Sequence, residues 1–360
     1  MKYKWIAFYV SSHGFGHMTR CLAIIEEVLE KTDYRIYLVC GEFQNNFAKN
    51  YLMNYEDRII FSDVCTDIGL INFQNTLKIN NKELEENLWH FINSWETIVE
   101  KDSQFLSKFD IHHIVSDISP IGALVGKKLK AKNIGISNFT WVEQYESLGI
   151  DKDIIEEFKI AYSNFDYFIG YPLALPMDNL NIPKKSIGFI TRKIELNRVN
   201  EIKETYGKSI FVTCGKSANL KNISIKNYDG TIFTTSGIDI LGSNKVIKLP
   251  VDTLDTQNYI AASDIVISKA GWSTISEAIV ANRKLVLIER EDVLEDSRNI
   301  QKLKQQNRTI SIKEEELKNI DILDIEQRID KSVQLGVVNK IRENEESILN
   351  ILGINAHSLV

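Results

Sequence analysis

The feature that most constrains the fold is a regular alternation of short apolar runs with longer amphipathic stretches. In the first amphipathic stretch, Leu22, Ile25, Val28 and Leu29 recur at helical spacing. Strands that alternate with helices are typical of a parallel sheet covered by helices, so the predicted class is α/β. The predicted strands are Trp5–Val10, Arg35–Cys40, Ile59–Ser62, Ile111–Val115, Asn133–Ser137, Tyr167–Gly170, Ser209–Thr213, Thr231–Thr234, Lys245–Lys248, Ile265–Ser268 and Leu285–Ile288.

The alternation stops between residues 171 and 183, where Pro172, Pro176 and Pro183 make up three of the five prolines. Proline fits neither a helix interior nor a central strand, so this segment is predicted to be a linker. The length of 360 residues, at about 150 residues per domain, also favours two domains. We therefore predict two doubly wound parallel-sheet domains, at residues 1–172 and 173–335, with a cleft between them.

Composition excludes several classes of function. The net charge is −6, which disfavours general binding to nucleic acid. No run approaches the ~18 apolar residues of a membrane span, and the N-terminal apolar run is too short for a signal peptide. The cysteines form no CxxC pair, which favours a reducing compartment and argues against a zinc site. A cytoplasmic protein without a bound metal is expected.

A glycine-rich turn follows the first predicted strand and contains His13, Gly14, Gly16 and His17. Glycines between a strand and a helix allow close approach of an anion or a substrate. A dinucleotide fingerprint would need a third glycine where Thr19 stands, so a nicotinamide-dependent enzyme is a weak alternative. An imidazole at the carboxyl edge of a parallel sheet suits a general base. The alternative is that either histidine caps a helix or binds a backbone carbonyl.

Asp117 follows the predicted strand Ile111–Val115 and therefore also lies at a carboxyl edge. If the first and fourth strands are neighbours, Asp117 reaches the histidine turn and can orient an imidazole. The alternative is a helix N-cap, a position that aspartate favours.

Two further glycine turns lie in the second half. Gly271 to Thr274 follow a strand and open a helix, so their backbone N–H groups can hold a diphosphate. Glu277 can accept hydrogen bonds from a ribose diol, although Thr274 and Glu277 also have the spacing of a capping box. The other turn contains Gly215, Lys216 and Ser217, where the lysine adds a positive charge.

Taken together, these motifs resemble those of the GT-B glycosyltransferases of the family 28 type, which include the enzyme that makes lipid II. They are closer still to the glycosyltransferase-like N-terminal half of plant L-arabinokinase. The resemblance is carried by His13-Gly14-Phe15-Gly16-His17-Met18-Thr19-Arg20, by Asn138-Phe139-Thr140-Trp141 and by Ala270-Gly271-Trp272-Ser273-Thr274-Ile275-Ser276-Glu277.

The resemblance implies two Rossmann-like domains, an acceptor site on the first and a nucleoside-diphosphate sugar, most often UDP-linked, on the second. It implies that His17 lies near the acceptor, with Asp117 as its dyad partner, and that a helix within 336–360 packs back on the first domain. The residues it assigns to the donor are Gly215, Pro250, Val251, Gly271, Trp272, Ser273, Thr274, Glu277, Glu295, Asp296 and Asn299. Where lipid-II enzymes carry His-Gln-x-x-Asn, this chain has Glu295-Asp296-Ser297-Arg298-Asn299.

The function expected from these features is inverting sugar transfer to an acceptor hydroxyl. His17, or alternatively His13, would be the base, and the nucleotide sugar would be a co-substrate, with no cofactor. The acceptor class stays open between a small molecule, a glycan and a lipid-linked sugar. Peripheral membrane contact through the aromatic helix around Trp89 and Trp95 is weighed against a core helix, which is favoured. Alternative functions are nucleotide-sugar epimerisation or hydrolysis, and a non-catalytic module that binds sugar nucleotides.

Overall fold

The computed structural model describes residues 3–71, 73, 79–215, 220–242, 245–290, 293–333 and 347–354. It divides the chain into two compact units. The first comprises Met1–Gly188 together with Glu345–Val360, and the second comprises Phe189–Asn344. Each unit is built on its own parallel sheet, and each is described separately below.

The first unit has a seven-stranded sheet in the order β3-β2-β1-β4-β5-β6-β7, with all strands parallel. Its strands are β1 Lys4–Val10, β2 Arg35–Cys40, β3 Ile59–Asp63, β4 Asp110–Asp117, β5 Lys132–Ser137, β6 Tyr167–Gly170 and β7 Lys184–Ser186. Its helices are α1 Gly16–Lys31, α2 Glu42–Tyr51, α3 Asn81–Leu106, α4 Pro120–Leu129, α5 Trp141–Leu148 and α6 Lys152–Tyr162. The first and fourth strands are neighbours, and Val10 pairs with Asp117. The adjacency of these two strands, which the approach of Asp117 to the histidine turn requires, is therefore present.

The proline-rich segment packs into the first unit instead of forming a free linker. Tyr171 N–H donates to Ser137 O at 3.0 Å, and Leu175 N–H donates to Asn138 O at 2.8 Å. Phe168 N–H donates to Pro183 O at 2.9 Å, which leads into β7. Proline suits such edge positions because it has no N–H to lose. The first unit consequently extends to Gly188.

The second unit has a six-stranded parallel sheet in the order β12-β10-β8-β13-β14-β15 and a small sheet in the order β11-β9-β16. Its strands are β8 Ser209–Thr213, β9 Leu220–Lys226, β10 Thr231–Thr234, β11 Ile238–Leu241, β12 Val246–Lys248, β13 Ile265–Lys269, β14 Lys284–Ile288, β15 Thr309–Ile312 and β16 Ile320–Asp321. Its helices are α7 Leu196–Tyr206, α8 Thr256–Ala262, α9 Trp272–Val280, α10 Leu294–Gln305 and α11 Ile322–Ser332. Every predicted strand is present. The strands missed from the sequence are β7, β9, β11, β15 and β16.

The C-terminal helix α12, Ile348–Leu352, packs on the first unit. Tyr167 Oη donates to Ile351 O at 2.8 Å, and Lys185 Nζ donates to the same oxygen at 3.2 Å. Lys132 Nζ donates to Leu352 O at 3.3 Å. These donors satisfy carbonyl groups that a helix end leaves without partners. Across the described ranges, no helix is both long and apolar enough to span a membrane.

His113 makes the stability of the first unit depend on pH. It is buried in β4, where burial, reinforced by Lys132 and His112, lowers its pKa to about 4 from 6.5. Between these values the unfolded chain binds the proton and the native chain does not, so stability is full above about pH 6.5 and falls as pH drops towards 4. We expect a loss of about 3 kcal/mol across this window, measured by urea unfolding at successive pH values.

His113→Gln should flatten that slope, because glutamine does not titrate. His90→Gln, at an exposed position of α3, is the matched control and should retain it. Equal slopes in the wild type and in His113→Gln would contradict the assignment.

Candidate functional site

His17 and Asp117 meet at the carboxyl edge of the first sheet. His17 lies in the first turn of α1, and Asp117 is the last residue of β4. His17 Nδ1 is 2.9 Å from Asp117 Oδ1, and both side chains are buried. Gly14, with φ +73°, turns the chain from β1 into α1 in the left-handed region that favours glycine. The alternative role of Asp117 as a helix N-cap is wrong, because Ser119 caps α4.

Arg20, one turn after His17, completes a buried charge cluster. Its Nε donates to Asp117 Oδ2 at 2.6 Å and its Nη2 to Asp117 Oδ1 at 2.5 Å. Nη2 also lies 2.7 Å from His17 Nδ1. Burial would raise the pKa of the Asp117 carboxyl, but Arg20 and His17 outweigh it and hold that pKa well below its usual range. Asp117 is therefore an ionised, doubly anchored acceptor.

The end of β5 and the loop after it supply further partners of Arg20. Nη1 donates to Asn138 Oδ1 at 2.9 Å, and Nη2 donates to Ser137 Oγ at 2.9 Å. The guanidinium carbon lies 5.1 Å from the centre of the Tyr171 ring. This explains why an Asn-Phe-x-Trp string accompanies the histidine turn: its asparagine holds the arginine of that turn.

His13 has a different environment from His17. Its ring is half-buried and contacts Trp141 edge-on, with ring centres 5.8 Å apart. Its backbone N–H donates to Ser11 Oγ at 3.2 Å. A Cβ on Gly69 would overlap the imidazole of His13, so the loop after β3 closes onto this ring at a position that only glycine allows.

Asp67, on the same loop, is a buried carboxylate that the sequence reasoning missed. Its Oδ1 accepts from Ser12 N–H at 2.7 Å, and its Oδ2 accepts from Trp141 Nε1 at 2.8 Å. Burial raises its pKa. The sequence did contain a signal for Asp67: it lies shortly after a strand, at the carboxyl edge of the sheet, which is the position that identified Asp117.

In the second unit, Lys269 lies between two glycine turns. Gly215, with φ +74°, follows β8, and Gly271 is the N-cap of α9 after β13. A Cβ on Gly215 would lie 3.2 Å from Lys269 Nζ, and one on Gly271 would lie 3.6 Å from Lys269 Cε. Burial and the nearby Arg290 lower the pKa of Lys269. The predicted phosphate residues Lys216 and Ser217 lie outside the described residues.

A carboxylate occupies the N-terminus of α9. Trp272 N–H donates to Glu295 Oε1 at 3.3 Å, at the turn predicted to hold a diphosphate. The Trp272 side chain is buried and stacks on Phe189, with ring centres 5.9 Å apart. Ser273 and Thr274 follow in the same first turn and are half-buried. Glu295 therefore sits where helix N–H groups favour negative charge.

Glu277 forms a buried ion pair with Arg192. Its Oε1 accepts from Arg192 Nη2 at 2.8 Å and from Nε at 3.1 Å. Arg192 Nη1 also donates to Leu254 O at 2.6 Å. The capping-box alternative is wrong, because α9 begins at Trp272 and not after Thr274. Arg192 was missed, since no motif in the sequence pairs it with Glu277.

The remaining predicted donor residues lie in α10 and in the loop after β12. Asp296 is fully buried and accepts from Arg290 Nε at 2.6 Å, and Asn299 Nδ2 donates to Ala270 O at 2.8 Å. Both side chains thus fasten α10 beside the turn before α9. Pro250 O accepts from Thr253 N–H at 3.1 Å in a tight turn that leaves Val251 half-exposed.

Comparison with known proteins agrees with this architecture. Residues 195–348 match the Glycosyltransferase family 28 C-terminal domain. L-arabinokinase of Arabidopsis thaliana is 22% identical over 318 residues, which cover 81% of this chain and 28% of that protein. The chain therefore spans less than a third of that relative's length.

Two solved structures share the fold. Arabidopsis thaliana UGT89C1, complexed with UDP-L-rhamnose, superposes with a TM-score of 0.61 at 11% identity, covering 98% of this chain and 92% of that chain. CalG4, the calicheamicin glycosyltransferase, gives a TM-score of 0.61 at 11% identity, covering 95% of this chain and 93% of that chain. The chain therefore has the GT-B glycosyltransferase fold, and its residues 195–348 are similar to the Glycosyltransferase family 28 C-terminal domain.

Proposed function

We propose that this protein transfers a sugar from a UDP-sugar to an acceptor hydroxyl with inversion at the anomeric carbon. The observation that carries the proposal is the buried pair of His17 and Asp117, with 2.9 Å between Nδ1 and Oδ1. An imidazole held by a carboxylate through one nitrogen presents the other nitrogen as a base. The family match in the second unit supports a nucleotide-sugar donor.

The proposed reaction moves one proton and one glycosyl group. His17 Nε2 takes the proton of the acceptor hydroxyl while that oxygen bonds to the anomeric carbon. The bond from that carbon to the diphosphate oxygen breaks from the opposite face, and the diphosphate leaves with the electron pair. Asp117 keeps the imidazole oriented and partly offsets its positive charge. No metal ion is needed if protein groups stabilise the leaving diphosphate.

We assign the donor to the second unit. The backbone N–H groups of the first turn of α9, together with Lys269, would hold the diphosphate. Glu277 would accept from the ribose hydroxyls, and the loop at Pro250 and Val251 would contact the base. Glu295 would accept hydrogen bonds from sugar hydroxyls and disfavour an anionic sugar, whereas the buried Asp296, bonded to Arg290, would support the site by holding α10 in place.

The acceptor and the compartment are part of the same proposal. An acceptor with a free hydroxyl, whether a small molecule, a glycan or a lipid-linked sugar, would bind beside His17 on the first unit. All four cysteines are free thiols, which fits a reducing compartment, and we place the reaction in the cytoplasm.

The test is a panel of UDP-sugars incubated with the protein, with and without candidate acceptors. Acceptor-dependent release of UDP, with product of inverted anomeric configuration, is expected. Release without an acceptor would indicate hydrolysis, and an epimeric UDP-sugar would indicate epimerisation. Binding of UDP without any turnover would indicate a binding module. Each of these three results would overturn the proposal.

Glu295 provides a prediction about the donor site alone. Its carboxylate competes with the diphosphate for the N-terminus of α9, so Glu295→Gln is expected to tighten UDP binding about threefold to tenfold. Isothermal titration calorimetry with UDP measures this. Glu314→Gln, on an exposed 3-10 helix of the same unit, is the control for net charge. Equal gains in both variants, or no gain in Glu295→Gln, would refute competition at this turn.

A further inference from the structure

Arg20 has more buried polar contacts than a role in packing requires. It is 3% exposed, and its guanidinium binds both oxygens of Asp117, Asn138 and Ser137. Through Asp117 it is joined to His17, the proposed base. Bidentate pairing of arginine with a carboxylate fixes both the position and the plane of the acceptor.

Counting hydrogens identifies which nitrogen of His17 carries the proton. Nη2 of Arg20 has two hydrogens, which the oxygens of Asp117 and Ser137 accept at 2.5 and 2.9 Å. If Nδ1 of His17 were unprotonated, its lone pair would face Asp117 Oδ1 at 2.9 Å and the two acceptors would repel. Donation from Nη2 to an unprotonated Nδ1, 2.7 Å away, would take a hydrogen from Asp117 or Ser137. With the proton on Nδ1, that proton and both hydrogens of Nη2 have acceptors.

The charges of this cluster act on His17 in opposite directions. Asp117 favours a positive imidazole, while the Arg20 guanidinium, 2.7 Å from Nδ1, opposes it. Asp67, Cys21 and Tyr171 also border the cluster: Cys21 Sγ donates to Asp117 Oδ2 at 3.3 Å, and Asp67 and His17 attract each other. Without Arg20, the buried Asp117 would lose both its balancing charge and the two bonds that fix its plane.

We propose that Arg20 is a positioning residue of the transfer site: it fixes Asp117 so that the neutral His17 ring carries its proton on Nδ1 and presents Nε2 as the proton acceptor. The inference rests on the proposed function for its catalytic meaning, but the protonation state of His17 can be measured without any substrate.

The experiment is long-range ¹H–¹⁵N NMR of the full chain labelled at histidine, with the His17 signal assigned through His17→Gln. The neutral ring of the wild type is expected to carry its proton on Nδ1. In Arg20→Gln the signal should change to a mixture of the two neutral tautomers, because Asp117 loses the bidentate anchor that holds it against Nδ1. In Arg20→Lys part of the anchor remains, so the change should be smaller. In a transferase, kcat should fall by at least about tenfold in Arg20→Gln, with KM for the donor unchanged.

The matched control is Arg58→Lys in the same unit, where the guanidinium donates to Leu29 O, Thr32 O and Tyr34 O. It should lower stability and leave the His17 signal in place. A wild-type ring with the proton on Nε2, or a proton position and a kcat that are both unchanged in Arg20→Gln, would overturn the proposal. If Arg20→Gln does not fold, the wild-type proton position still decides. If the proton lies on Nδ1 of His17 but the protein transfers no sugar, the proposed function is refuted and the positioning role of Arg20 stands.

Discussion

Replacing His17 with alanine is expected to lower kcat for sugar transfer by about 10²–10⁴-fold, because a positioned general base contributes that much. UDP affinity should stay within about twofold of the wild type, since the proposed donor residues lie in the second unit. Single-turnover release of UDP and calorimetric UDP binding measure the two quantities separately.

His13→Ala is the matched control for that experiment. His13 lies in the same turn, is half-buried and contacts Trp141, so its loss should affect transfer far less. The opposite ranking of the two variants would make His13 the base. Equal, small effects would leave the first unit without a base and would contradict the mechanism.

Glu277→Ala is expected to destabilise the second unit by about 3–5 kcal/mol, because it leaves the Arg192 charge buried and unpaired. It should also weaken UDP binding if the carboxylate receives the ribose hydroxyls. Urea unfolding gives the first effect, and calorimetry with UDP at low temperature gives the second. Glu201→Ala, which breaks the exposed pair of Glu201 with Arg198, should cost less than about 1 kcal/mol.

A double variant separates the structural role of Glu277 from its ligand role. Arg192→Met combined with Glu277→Leu replaces both charges by apolar groups, which often restores stability. Recovered stability with UDP binding still weak would support a ribose contact. Recovered stability with wild-type UDP binding would mean that Glu277 serves only the ion pair.

The sequence predicted the sheets well where strands are apolar and central. Ile265 to Ser268 and Leu285 to Ile288 are fully buried, so they appear as continuous apolar runs. By contrast, the apolar residues of β9 are interrupted by lysine and asparagine, and β16 has only two residues. β15 has the apolar alternation of a strand in Thr309 to Ile312 and was overlooked. Short edge strands owe their structure to neighbours distant in sequence, which local patterns do not record.

The candidate site was predictable only in part, because only some of its contacts follow from the order of the strands. Asp117 was found because parallel strands end at one edge, and its approach to His17 followed from the strand order. The anchoring of Asp117 by Arg20 depends on side-chain directions within α1, which spacing alone does not give. Likewise, the pairing of Arg192 with Glu277 joins residues far apart in the chain through tertiary structure alone.

The packing of α12 on the first unit has a consequence for the order in which the chain folds. The carbonyl groups of Ile351 and Leu352 are bonded by Tyr167, Lys185 and Lys132, which the ribosome makes more than a hundred residues earlier. The second unit lies between these partners in the sequence. It can therefore complete its own contacts while the first unit still waits for its last helix. During synthesis the N-terminal half is expected to be the later of the two to reach its final stability, against the usual N-to-C order of domain folding.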